Sequence, residues 1–165
     1  MVGTIKCGSI GIHMKFICDD MLGRLAKWLR MLGFDTLYFN TIADAELLRL
    51  SLQEERILIT RDTHLPGRYM LSTYIVIKHE NYMQQLKQVI ETLHIEPSQY
   101  HLFSRCLMCN RPIEPIRKNT VKDKVPPYVY KTQHIFYTCM SCKKIFWHGT
   151  HRKNTLEKLQ KANLC

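Results

Sequence analysis

The sequence contains no window of about 18 consecutive apolar residues, which excludes a membrane-spanning helix. Its opening, MVGTIKCGSIGIHM, lacks the apolar core of roughly 7 to 15 residues that a secretory signal carries. The expectation is a chain that stays in the reducing cytosol. Acids are scarce in one region only: residues 105 to 165 hold 3 acidic and 13 basic side chains, whereas residues 1 to 104 hold 11 of each. The net charge of +10 therefore belongs to the last third. No low-complexity segment is present, and nothing repeats beyond an alternation of strand and helix. With 165 residues, 45% of them hydrophobic, the chain has room for one ordinary domain or two small ones.

The cysteines do not form a disulfide framework. There are seven, an odd number, and four of them form two Cys-x-x-Cys pairs, Cys106/Cys109 and Cys139/Cys142. Each pair can sit on a tight turn that aims two thiolates at one ion, and two such knuckles complete a closed tetrahedral zinc site. This pattern predicts a zinc ribbon, in which Zn²⁺ supplies folding energy that so short a segment cannot draw from its core. The competing reading is a redox dithiol, but a thioredoxin-type motif opens a helix after a strand and neither pair does so. Cys7, Cys18 and Cys165 read as free thiols, Cys18 buried in a strand.

Short apolar runs predict strands at Lys15 to Cys18, Thr36 to Phe39, Arg56 to Thr60 and Tyr74 to Ile77. Between them, Leu22, Leu25, Ala26, Leu29 and Leu32 recur at helical spacing, with Arg24, Lys27 and Arg30 opposite and Gly33 as a left-handed stop. A second helix begins near Asp44, with Leu47, Leu48 and Leu52 as its apolar stripe and Glu54-Glu55 at its end. Met83, Leu86, Val89, Ile90 and Leu93 line a third. Strands that start about 20 residues apart with helices between them indicate βαβ units and a parallel sheet covered on both faces; strand order is not readable. Residues 94 to 104 are the expected linker, Pro126-Pro127 marks a loop in the ribbon, and Glu157 to Ala162 form a short terminal helix. The expected divisions are residues 14 to 97, 104 to 152 and 153 to 165.

Ligands of open α/β sheets bind beyond the carboxyl ends of the strands, and the residues there are acidic. Asp19 and Asp20 follow the first strand, Asp44 and Glu46 open the helix after the second, and Asp62 follows the third. Carboxylates gathered there repel one another unless a divalent cation neutralises them, and hard Mg²⁺ or Mn²⁺ suits an all-oxygen site. Such ions support metal-assisted hydrolysis of a phosphodiester. The competing reading is that the acids are helix caps, since Asp is a favoured N-cap and acids suit the first helical turn. Asp44 and Glu46 fit it best; Asp62 fits less well, because Thr63-His64-Leu65-Pro66-Gly67 does not read as a helix start.

The string FICDDMLGRLAKWLRMLGFDT (residues 16 to 36) resembles the opening of the PIN-like ribonuclease domains of the Mut-seven C-terminal type. Asp44-Ala45-Glu46-Leu47 is similar to that family's second acidic motif and RILITRD, ending at Asp62, to its third. RCLMCN from Arg105, Cys139-Met140-Ser141-Cys142 and FWHGTH from Phe146 resemble its ribbon. The resemblance runs from about residue 15 to residue 152. It implies a PIN-type three-layer α/β/α domain followed by a zinc ribbon, a Mg²⁺- or Mn²⁺-dependent nuclease site, and RNA as substrate. Asp19, Asp44 and Asp62 would be the acidic metal ligands. Asp20 departs from the small residue usual there, and Glu46 or Glu80 are candidates for a fourth acid.

The ribbon's lysines and arginines are interleaved with Tyr128, Tyr130, Phe136, Tyr137, Phe146 and Trp147, which suits a phosphate backbone with aromatic platforms for unstacked bases. Phe136 and Phe146 also fit a small ribbon core, leaving Trp147 and Tyr130 as the candidates for bases. His148 and His151 could support the zinc, contact phosphate or do neither. The expectation is a metal-dependent ribonuclease acting on single-stranded RNA, with Asp19, Asp44, Asp62 and Glu46 as catalytic residues. The alternative is a non-catalytic RNA-binding adaptor in which only the basic ribbon works; a third is a zinc-stabilised protein-interaction module.

Overall fold

The computed structural model describes residues 14 to 65 and 73 to 165; Cys7, the N-terminal string and the Pro66-Gly67 pair lie outside the described residues. Strands β1 (Lys15–Cys18), β2 (Asp35–Tyr38), β3 (Ile57–Thr60) and β4 (Tyr74–Val76) form one parallel sheet in the order β2-β1-β3-β4. Side-chain alternation divides each strand between two cores: Phe16, Cys18 and Ile59 pack on one face, Ile17 and Leu58 on the other. Burial on both faces is why the strands read as unbroken apolar runs.

Helices α1 (Gly23–Leu32) and α3 (Tyr82–Thr92) cover the first face and α2 (Asp44–Gln53) the second, giving three layers. Leu25, Leu29 and Leu32 of α1 are fully buried, each contributing about 1.5–3 kcal/mol of hydrophobic stabilisation. Two expectations are corrected. Leu52 is 59% exposed; Ser51 takes the inward position instead, donating its hydroxyl to the Arg56 carbonyl. Arg30, expected on the solvent face of α1, is buried. Its Nε donates to the Thr36 carbonyl at 2.8 Å and its Nη1 to the carbonyls of Leu107 and Met108 at 2.9 and 3.0 Å.

Gly33 ends α1 at φ 100°, the expected left-handed stop. The segment expected to be a linker is a strap across this helix end. His101 N–H donates to the Leu32 carbonyl and Phe103 N–H to Met31, satisfying carbonyls that the end of α1 would otherwise leave unpaired.

The ribbon is an antiparallel sheet of β5 (Ile113–Ile116), β6 (Phe136–Cys139) and β7 (Ile145–Trp147), with Val121, Val125 and Phe136 as its small core. Phe136 is a core residue as expected, whereas Phe146 is only half-buried. Pro126-Pro127 does not mark a loop: Pro127 is the first residue of α4 (Pro127–Thr132), where its missing N–H leaves no helical bond unmade. The terminal helix is longer than expected. It is α5 (Thr150–Lys161), and the division expected between 152 and 153 falls inside it. Leu159 and Leu164 bury in the same core as α1, so the end of the chain returns to the α/β domain. Among the described residues no helix is long and apolar enough to cross a membrane.

Candidate functional site

The two Cys-x-x-Cys turns share one backbone design. Cys106 N–H donates to the Arg111 carbonyl and Asn110 N–H to Cys106; Cys139 N–H donates to Lys144 and Lys143 N–H to Cys139. The residue after each second cysteine is left-handed, Asn110 at φ 64° and Lys143 at φ 59°. This brings the four Sγ atoms within 4.8 Å of one another, with Cys106 and Cys142 3.6 Å apart. Four thiolates about 2.3 Å from one ion define a tetrahedron with edges of roughly 3.8 Å, so the donor set fits zinc. The backbone N–H of Lys144 brings the Cys142 thiol down to about 7, whereas burial raises Cys106 and the hydrogen bond with Cys142 raises Cys109, so the full set of thiolates depends on the charge of a bound metal. Among the described residues no other group of three or more potential ligands lies this close.

The acids are arranged differently. Asp19 is buried at the carboxyl end of β1, with Oδ1 accepting from Met21 N–H and Oδ2 from the Thr60 hydroxyl and Arg61 N–H, both at 2.7 Å. Burial raises its carboxyl above the usual range against the pull of these hydrogen bonds. The Thr60 oxygen also accepts from Asp62 N–H at 2.9 Å, so one hydroxyl joins the ends of β1 and β3. From these neighbouring strands the chain leads to β2 at one edge of the sheet and to β4 at the other, and the strand order reverses between them, the usual ligand position of an open α/β fold.

Asp62 is exposed and its Oδ1 accepts from His64 N–H. Asp44 lies exposed in the first turn of α2, where Ala43 and not an acid is the N-cap. Glu46 forms two hydrogen bonds with Arg49, which hold its carboxyl low. The structure thus ties the Asp19 carboxylate and the Asp62 backbone to one hydroxyl, and among the described residues it does not gather Asp19, Asp62, Asp44 and Glu46 into a set at ligand distance. Asp20 and Glu80 line an adjoining cleft of about 820 Å³ that runs between the strand ends and the first cysteine knuckle. Arg24 and Lys27 of α1 and Tyr82 of α3 form its wall, with Met108 of the knuckle at its far side.

The model of the family described as Mut7-C RNAse domain matches residues 14 to 159, spanning the sheet, the strap, both cysteine knuckles and most of α5. The chain belongs to this family. No curated protein and no solved structure matches it. Mut7-C membership indicates a ribonuclease-related function with RNA as substrate. The Mut7-C match ends within α5, in accord with a helix that packs into the α/β core.

Three residues that shape this Mut7-C site carry little signal in the sequence. Thr60 looked like one more β-branched strand residue; its only signal is a polar side chain ending an apolar run. Arg30 looked like surface charge at helical spacing. Asn110 follows the second cysteine of its knuckle, and its one sequence signal is that Asn tolerates left-handed backbone.

Proposed function

We propose that the chain is a metal-dependent ribonuclease whose centre lies at the carboxyl ends of β1 and β3. The observation that carries this reading is that one hydroxyl, Thr60, holds the Asp19 carboxylate and, through the Asp62 backbone N–H, the turn that carries the Asp62 side chain. Asp19 and Asp62 would hold Mg²⁺ or Mn²⁺, with Asp44, in the first turn of α2, as the third ligand the family motif implies and Asp20 and Glu80 lining the approach. When bound, the ion supplies activation of water and charge stabilisation at a phosphodiester. Thr60 fixes the rotamer of Asp19, while the Arg61 and Met21 amides hold the carboxylate without competing for all of its lone pairs. Arg24 and Lys27 attract the phosphates of a single strand into the cleft, and Tyr82, stacked on Trp28 with ring centroids 6.0 Å apart, offers an aromatic face. The four cysteines would hold one structural Zn²⁺, and the positive ribbon would add to the hold on RNA.

The adaptor reading retains two observations in its favour: no three of the described acids lie as close together as the cysteines do, and Asp19 caps the helical turn Asp20–Leu22 through its bond from Met21 N–H. Cleavage decides between them. Purified protein supplied with Mn²⁺ is expected to cut single-stranded RNA, and Asp19→Asn and Asp62→Asn each to abolish cutting while RNA affinity stays within about threefold of wild type. Inert wild type, or cutting that persists in both variants, overturns the ribonuclease reading.

A further inference from the structure

A second cavity, of about 320 Å³, lies where the strap, the ribbon and α5 meet, on the other side of the first knuckle from the cleft; Leu107 lines both. That volume is at the lower end of the range for small-molecule sites. Its walls are mainly apolar and aromatic, from Phe103, Ile113, Tyr137, Phe146 and Trp147. The rim carries His148, His151 and Arg152, and no acid lines the cavity. Such a combination of flat aromatic faces and unopposed cations matches a base with its phosphate better than an apolar peptide side chain.

The indole packs closely against the start of α5: a Cβ on Gly149 would lie 3.1 Å from Trp147 Nε1, a tight contact. The Arg152 guanidinium sits over the Phe103 ring at 5.8 Å and its Nη1 is 3.3 Å from His148 Nδ1, while the His148 ring lies against Tyr137 with centroids 5.5 Å apart. Among the described residues Arg152 has no carboxylate partner within ion-pair distance. An exposed arginine stacked on an aromatic ring at the mouth of an apolar cavity is a ready phosphate ligand.

We propose that this cavity receives one unstacked base of the RNA strand, with Arg152 and His151 at its rim taking the adjacent phosphate. The proposal rests on the ribonuclease reading for its ligand class and extends it: a strand lying in the cleft would pass over the first knuckle and be anchored by a single base beyond it.

The test is the affinity of the zinc-loaded full chain, without added Mg²⁺ or Mn²⁺, for a short single-stranded RNA carrying an abasic nucleotide at each position in turn. Removing one particular base should weaken binding roughly five- to a hundredfold, the range for loss of one base–aromatic stack. That penalty should vanish in Trp147→Leu or in Phe103→Leu, the second variant serving because Trp147 also supports the ribbon core. Arg152→Ala should weaken intact and abasic strands alike and lower the salt slope by about one. The proposal is overturned if wild type binds no RNA, if every abasic strand binds within about twofold of the intact one, or if the penalty persists in both variants. It is equally overturned if a free nucleoside monophosphate competes as well as the strand. Loss of Mn²⁺-dependent cutting with the penalty intact removes the ribonuclease reading and leaves the cavity. Cutting without any penalty does the reverse.

Discussion

Asn110 donates from Nδ2 to the Asp35 carboxylate at 2.7 Å, although 75 positions separate them in the chain. Its Oδ1 accepts from Thr36 N–H at 3.0 Å, while the Thr36 carbonyl accepts from Arg30. Both edge-facing groups of Thr36 on β2 are thus satisfied, one by the cysteine knuckle and one by the helix that supports it. An exposed strand edge invites pairing with other chains; here a metal-binding turn covers it. Arg30, which also donates to the Leu107 and Met108 carbonyls, fixes the knuckle against α1 and so defines the far wall of the cleft.

Asp35 is the electrostatic centre of this seam. Burial alone would raise its carboxyl, but hydrogen bonds from Arg56 and Asn110, with the charges of Arg56 and Arg105, hold it below the usual value. A depressed folded-state value stabilises the fold above the unfolded value near 3.8, and that contribution disappears as pH falls through the lower folded value. Asp35→Asn is therefore expected to cost about 1.5–3 kcal/mol at neutral pH, or roughly 3 to 12 °C in Tm, by loss of charged hydrogen bonds. Thermal melts against pH should show the gap to wild type closing below about pH 4. A gap that persists unchanged into that range would remove the charge from the explanation.

Because the first knuckle bonds directly to α1 and β2, metal removal should reach beyond the ribbon. Metal analysis is expected to give one zinc per chain. A strong chelator, or Cys106→Ser, should lower the Tm of the whole protein and not melt the ribbon alone. Two separate transitions, with the α/β unit melting as before, would show that the seam transmits no stability.

The α/β half of the chain was legible because its signals are local and redundant. Four apolar runs flanked by acids, and helices with leucine at regular spacing, leave few other arrangements. The ribbon's metal site was equally plain from the spacing of Cys106, Cys109, Cys139 and Cys142. What escaped depends on partners far away in sequence. Nothing in the helical spacing of Arg30 indicates that carbonyls at 107 and 108 will meet it, and nothing near Leu159 indicates a core assembled from residues 16 to 95. Strand order was unreadable for the same reason, since every order of short apolar strands satisfies the same pattern. At the acidic site, sequence puts five acids at strand ends and helix starts. The structure distinguishes Asp19, whose carboxylate shares the Thr60 hydroxyl with the Asp62 backbone N–H, from Glu46, which Arg49 occupies.

The strap should respond to Gly33. At φ 100° any L-residue is strained, and a Cβ there would lie 2.5 Å from the His101 carbonyl oxygen, a backbone atom that cannot rotate away. Gly33→Ala is expected to destabilise by about 2–3 kcal/mol, combining left-handed strain with displacement of the strap. Hydrogen exchange should identify where the damage falls, with the His101 and Phe103 amides losing protection first. Wild-type protection at both amides would mean that the strap is held by something other than its bonds to α1.

Thr60 gives the sharpest test of how the acids work together. Its hydroxyl donates to Asp19 and accepts from Asp62 N–H, so Thr60→Val keeps the shape of the side chain but removes both bonds. Asp19 would keep its backbone partners yet lose the group that fixes its rotamer, and the Asp62 turn would be left without an acceptor. If these carboxylates share a cation, the valine variant should cut RNA about 10- to 100-fold more slowly at fixed Mn²⁺, the usual consequence of losing a group that orients a metal ligand. It should also need more Mn²⁺ to reach half its maximal rate, with RNA affinity unchanged, whereas Thr60→Ser should recover most of the activity. A purely structural role predicts a lower Tm with the Mn²⁺ requirement unmoved, so titrating Mn²⁺ against rate for the two variants separates orientation of the acids from packing at the end of β3.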